Sequence, residues 1–142
     1  MPAKVCSKRA FTLIELLVVI GIIGVLATIV LVAVNPARQF ALANNAQRSS
    51  DINAILNAVH QYAIESKGTL PASIATTVKN VGTCGTCANL TADLIPSYLS
   101  SIPQDPSGDA SDTKYSVVKD INGRVTVSSE SAELDKVISV TR

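Results

Sequence analysis

From Leu16 to Val34, nineteen consecutive residues carry no charge. As a helix this run rises about 28 Å, close to the ~30 Å hydrocarbon thickness of a bilayer. Few soluble folds can absorb such a segment, so it constrains everything else. The whole chain has 142 residues, 47% of them hydrophobic and 16% charged, and the apolar excess is concentrated between Phe11 and Val34. Lys4, Lys8 and Arg9 lie just before it, with no acid among the first ten residues. The positive-inside tendency therefore predicts a cytoplasmic N-terminus and an exported remainder.

Three kinds of segment fit this description. A secretory signal peptide has an apolar region of about 7–15 residues followed by a small-residue cleavage site. This run is longer, and Leu31, Val32, Ala33 and Val34 make a poor site. A plain signal anchor accounts for the length but not for Glu15. A segment cut on the cytoplasmic side, before the apolar run, accounts for both. A carboxylate near the centre of a membrane helix costs on the order of 2.5–3.5 kcal/mol and usually has a partner. Glu15 lies one turn from the start, where reaching the interface relieves part of that cost. It is either tolerated there or pairs with a positive group when copies assemble.

The stretch from Lys8 to Val34 resembles the type IV pilin and pseudopilin superfamily. It has a short basic leader, a small residue at Ala10, and then FTLIELLVVIGIIGVLA. The resemblance implies cleavage between Ala10 and Phe11 by a prepilin peptidase. It implies N-methylation of the new Phe11 amine. It also implies that Glu15 neutralises the Phe11 amine of a neighbouring subunit in a filament. The family usually has Gly where this chain has Ala10, and Ala is also small. Many relatives carry a Pro where this chain has Val32.

Past Pro36 the apolar positions Ile52, Ile55, Leu56, Val59, Tyr62 and Ala63 repeat at helical spacing. Arg48, Asp51, Asn57, Gln61 and Glu65 fall mostly off that face. Gly68 suits a helix stop, with Pro71 beyond it. One helix is therefore predicted from about residue 12 to about residue 66, roughly 80 Å long. Gly21 and Gly24 weaken it by about 1 kcal/mol each, or serve close packing in the bilayer. Pro36 removes a backbone donor and can kink or break it. His60, the one histidine, borders the apolar face and reads as a surface or subunit-contact residue.

Residues 67–142 form the head, marginal as a core by itself and completed by the amphipathic helix. Residues 67–112 read as a long loop with a helical turn near Thr91–Ile95, punctuated by Pro96, Pro103 and Pro106. Lys114–Lys119, Arg124–Ser128 and Lys136–Thr141 read as antiparallel strands, with Asn122-Gly123 as the hairpin signal between the first two. The predicted fold class is α+β, a long N-terminal α-helix packed on a small antiparallel sheet, which is also the pilin architecture. The expected organisation is a leader at 1–10, an apolar half-helix at 11–34, an amphipathic half at 35–66 and the head.

Three cysteines are an awkward count for an exported protein. If Cys6 leaves with the leader, Cys84 and Cys87 remain as a CxxC. It could be a redox motif, half of a zinc site or a disulfide. Zinc lacks two further donors, and a thioredoxin-like site lacks its βαβ context. On the exported side a local disulfide is favoured. Asp105, Asp109 and Asp112 lie in the loop IPQDPSGDASD. Closely spaced loop acids can bind calcium, although the spacing is not that of an EF-hand, and solvated acids beside turn residues are the commoner case. The region also resembles major pseudopilins of type II secretion, which have an Asp-Pro turn before a calcium-binding loop. No other cofactor is expected. Asn89-Leu90-Thr91 fits a glycosylation sequon and is treated as unused.

The leading expectation is a structural filament subunit whose partners are other pilin subunits, prepilin peptidase, pilus assembly machinery and the inner membrane before assembly. A pseudopilin of type II secretion, a periplasmic piston, is the alternative with the same motif. A monomeric membrane-anchored binding module, with a head that captures a ligand such as DNA, is the alternative of another class. The net charge is +1, and without the first ten residues nine basic side chains face eleven acidic ones. The head has no basic cluster, so nucleic acid is an unlikely partner on charge grounds. An enzyme is not expected, because no nucleophile-and-base pattern and no phosphate loop is present.

Overall fold

The computed structural model describes residues 11–142. Ala10, Cys6 and the basic residues Lys4, Lys8 and Arg9 lie outside the described residues. The chain divides into two units, with the boundary between Gln39 and Phe40.

Helix α1 runs Leu13–Ala33, and none of its residues is buried. It is long and apolar enough to cross a membrane. Helix α2 runs Pro36–Glu65. The single helix expected from residue 12 to 66 is thus two helices. Pro36 explains the break: its ring disfavours the helical conformation at the residue before it, and Val34 has already left it at φ −102°, ψ 49°. The same dipeptide starts α2. Pro36 suits a first helical position, and the Asn35 side chain accepts a hydrogen bond from the Arg38 amide at 3.3 Å, as an N-cap does.

The far end of α2 closes with the Gly68 amide donating to the Ala63 carbonyl at 2.7 Å. Lys67, at φ 54°, takes the left-handed position, and Gly68 follows it at φ 88°.

In the Phe40–Arg142 unit, short strand β1 (Lys79–Asn80), helical turn α3 (Thr91–Leu94), β2 (Tyr115–Lys119), β3 (Val125–Ser129) and β4 (Ile138–Thr141) follow in order. The sheet is antiparallel throughout, in the order β1-β2-β3-β4. The fold is α+β, as the sequence predicts, with β1 as an added edge. Gly123, at φ 83°, supplies the left-handed residue of the β2–β3 turn. Alternation buries Val125 and Val127 of β3, and Tyr115 and Val117 of β2, against Ile52, Ile55, Leu56 and Val59 of α2. The segment read as a long loop with a helical turn near Thr91–Ile95 adds Ile74, Val81, Ala88, Leu90 and Leu94 to this core, and α3 supplies that turn. Only Leu90 and Leu94 share a turn, so the segment shows no sustained period to betray them.

Candidate assembly site

Thr12 is the N-cap of α1. Its hydroxyl accepts from the Glu15 amide at 3.3 Å, and Glu15 Oε2 accepts from both the Thr12 amide and hydroxyl at 2.8 Å. This is a capping box, which satisfies orphan donors at the helix start. In the single chain, then, Glu15 holds its own helix end. Among the described residues its Oε1 accepts no hydrogen bond. Sequence reasoning missed Thr12, although the T-x-x-E spacing of Thr12–Glu15 carried the signal. Phe11 is 81% exposed, and with Ile14, Glu15, Val18 and Val19 it lines an open apolar groove on the helix surface.

The α2 helix buries a second feature that the sequence concealed. Arg48 and Asp51, expected off the packed face, are on it, 3% and 7% exposed. Ala41, Asn45, Arg48, Ile52, Ile55 and Val59 form one buried stripe. Arg48 Nε donates to Asp105 Oδ2 at 2.5 Å and its Nη2 donates to Asp105 Oδ1 at 3.3 Å, a bidentate pair. Its Nη1 donates to Glu133 Oε1 at 2.9 Å and to Asn45 Oδ1 at 3.1 Å. Asn45 in turn bonds both the carbonyl and the amide of Glu133, at 2.7 and 3.0 Å. Asp51 Oδ2 accepts from the Tyr115 hydroxyl at 2.8 Å. Burial pushes the Asp105 carboxyl up, but hydrogen bonds from Arg48 and Ser107 outweigh it and hold the group below its ordinary value. Burial first, then the bond to Asp51, pushes the Tyr115 hydroxyl up.

The structure does not bring the three loop carboxylates together. Asp105 is committed to Arg48. Asp109 accepts from the Ser111 and Asp112 amides at 2.8 and 2.9 Å. Asp112 pairs with Lys114 Nζ at 2.7 Å. Among the described residues, no group of three or more His, Cys, Asp or Glu is arranged to hold a metal ion.

Cys84 and Cys87 are joined as a disulfide, with Cα atoms 5.0 Å apart. Their loop lies against the acidic one: the Cys84 amide donates to the Ser111 carbonyl at 3.0 Å, and the Thr83 amide donates to that of Ala110 at 3.2 Å. A Cβ on Gly82 would come within 2.2 Å of the Ser111 carbonyl oxygen, so only glycine fits. His60 is partly buried, and its Nε2 has no partner among the described residues. Asn89 uses its side chain to accept from the Thr91 amide at 3.1 Å, at the start of α3.

The family model of the prokaryotic N-terminal methylation motif matches residues 6–31. The chain therefore carries a prepilin-type N-terminus, the motif of type IV pilins and pseudopilins. That motif is structural rather than catalytic. Comparison with curated proteins and with solved structures finds no match.

Proposed function

We propose that this chain is the structural subunit of a type IV pilus-like filament. Prepilin peptidase cuts between Ala10 and Phe11, and the new Phe11 amine is methylated. The α1 helix holds the subunit in the inner membrane until the assembly machinery transfers it to the filament. There the Glu15 carboxylate pairs with the Phe11 amine of a neighbour. One observation carries this role: the methylation motif, residues 6–31, overlaps a 21-residue apolar helix, Leu13–Ala33, with no buried residue. So much uncovered apolar surface needs lipid, or other copies of itself. The role calls for no cofactor.

Mass analysis of the mature N-terminus tests it. The expected species begins at Phe11 and is heavier by one methyl group. A chain that still begins at Met1 would refute the processing step, and the filament role with it.

A further inference from the structure

We propose that successive copies of this chain meet head to tail through opposite ends of the Phe40–Arg142 unit. The β2–β3 turn of one copy lies against the β3–β4 connection of the next. This contact rests on the filament role proposed above and adds which surfaces meet.

The strand register defines the two ends. Tyr115, Ser129 and Ile138 make one terminal row. Lys119 and Val125 make the other, where Val125 also exchanges both backbone hydrogen bonds with Arg142. Helix α2 runs in the same sense. Asn44, Asn45 and Arg48 hold Glu133 beyond the first row, Asp51 meets Tyr115, and Asn57 meets Arg142. One end therefore carries the Asp120–Gly123 turn and the last turn of α2. The other carries the β3–β4 connection, Glu130–Val137, and the acidic loop.

Both ends expose apolar side chains. Ile121, at the tip of the turn, is 95% exposed, and Ile64 lies at the same end. Val137 is 87% exposed at the other end, beside exposed Leu134. A single exposed isoleucine is ordinary; the charges around these side chains give them direction. The turn end carries Lys67, Lys119, Arg124 and Arg142 with Glu65 and Asp120, the last paired with Arg124. The opposite end carries Asp109, Asp112, Glu130, Glu133 and Asp135 with Lys114 and Lys136, while Asp105 and Arg48 cancel as a buried pair. Two like ends repel, whereas unlike ends attract. The charge pattern therefore disfavours an end-on two-fold pair, which joins like ends, and suits an end-to-end heterologous contact, the kind that repeats into an open fibre. The patches are small, so they orient copies that the apolar helices hold together.

In cells that assemble filaments from the full chain, Ile121→Cys and Val137→Cys together place one thiol at each end. A short bismaleimide applied to sheared filaments is expected to give a ladder of dimers, trimers and longer products. Either substitution alone should leave monomers. Lys119→Glu with Arg124→Glu should lower filament yield about tenfold, and adding Glu130→Lys with Asp135→Lys should restore it. Filaments that form without a ladder overturn the head-to-tail contact while leaving the filament role intact. A dimer from either single variant, a product containing a different protein, or no rescue by the charge swap overturns it as well. If the unsubstituted chain makes no filaments, the filament role itself falls.

Discussion

At the residue scale Glu15 caps its own helix and is proposed to pair with a neighbour's amine, and one substitution separates the two roles. A capping box accepts Gln in place of Glu, so Glu15→Gln keeps the helix start while removing the charge. We expect this variant to stay in the membrane and to be processed, yet to be lost from sheared filaments. Filaments at the unsubstituted level would show that capping alone is its task. Arg48 presents the opposite case, a charge held by burial. Arg48→Ala strands Asp105 without its partner, and breaking a buried pair costs about 3–5 kcal/mol. A urea titration of the detergent-solubilised chain would read this, and an unchanged midpoint would rule the pair out as an anchor. The pH dependence has a definite sign. Asp105 is held below its ordinary value of about 3.8. Its contribution is full above that pH and is lost as the pH falls through the lowered value. Stability should be level from pH 7 to 5 and decline below about pH 4, a decline that Asp105→Asn should flatten.

Among the elements, the Cys84–Cys87 loop has the clearest test. A disulfide closing so short a ring restricts the unfolded chain by about 2 kcal/mol. Its local effect reaches further, because the loop backbone is bonded to Ala110 and Ser111. Reduction, or Cys84→Ser with Cys87→Ser, should raise amide exchange first in residues 82–88 and 105–113, with β3 and β4 changing least. Uniform acceleration across the sheet would mean that the bridge supports the whole core instead. The helices show how far local rules carry. Pro36 marked a possible break in the long helix, and there α1 ends while Asn35, which the sequence reading did not single out, caps α2. The hairpin was legible because Gly123 and the flanking valines each signal it alone. The two-residue strand β1 was not, because its pairing with Val117 and Ser116 is a tertiary choice.

At the scale of the whole molecule, the reading of the protein as a prepilin-type chain rests mostly on its first 34 residues. The apolar run, the basic residues before it and Glu15 point to a membrane-anchored precursor, and the motif match falls on that same stretch. Electron microscopy of sheared surface material should therefore show long fibres containing this chain. Their absence, with the protein confined to the periplasm, would favour the secretion pseudopilin. What stayed hidden was the interior of the head. Arg48, Asp51 and Asp105 read as solvent-facing because charged residues are seldom buried unpaired, and their partners are 57, 64 and 85 positions away. Spacing along the chain cannot reveal a pair that only the fold assembles. That clasp has a mechanical meaning. Tension drawn along α2 reaches the head through its apolar face and through the Arg48 guanidinium, which holds Asp105 and Glu133 together. Because one side chain joins two distant segments of the head to the helix, loosening it frees both, so the clasp acts as a rivet set into the apolar face rather than as one tooth of a zip.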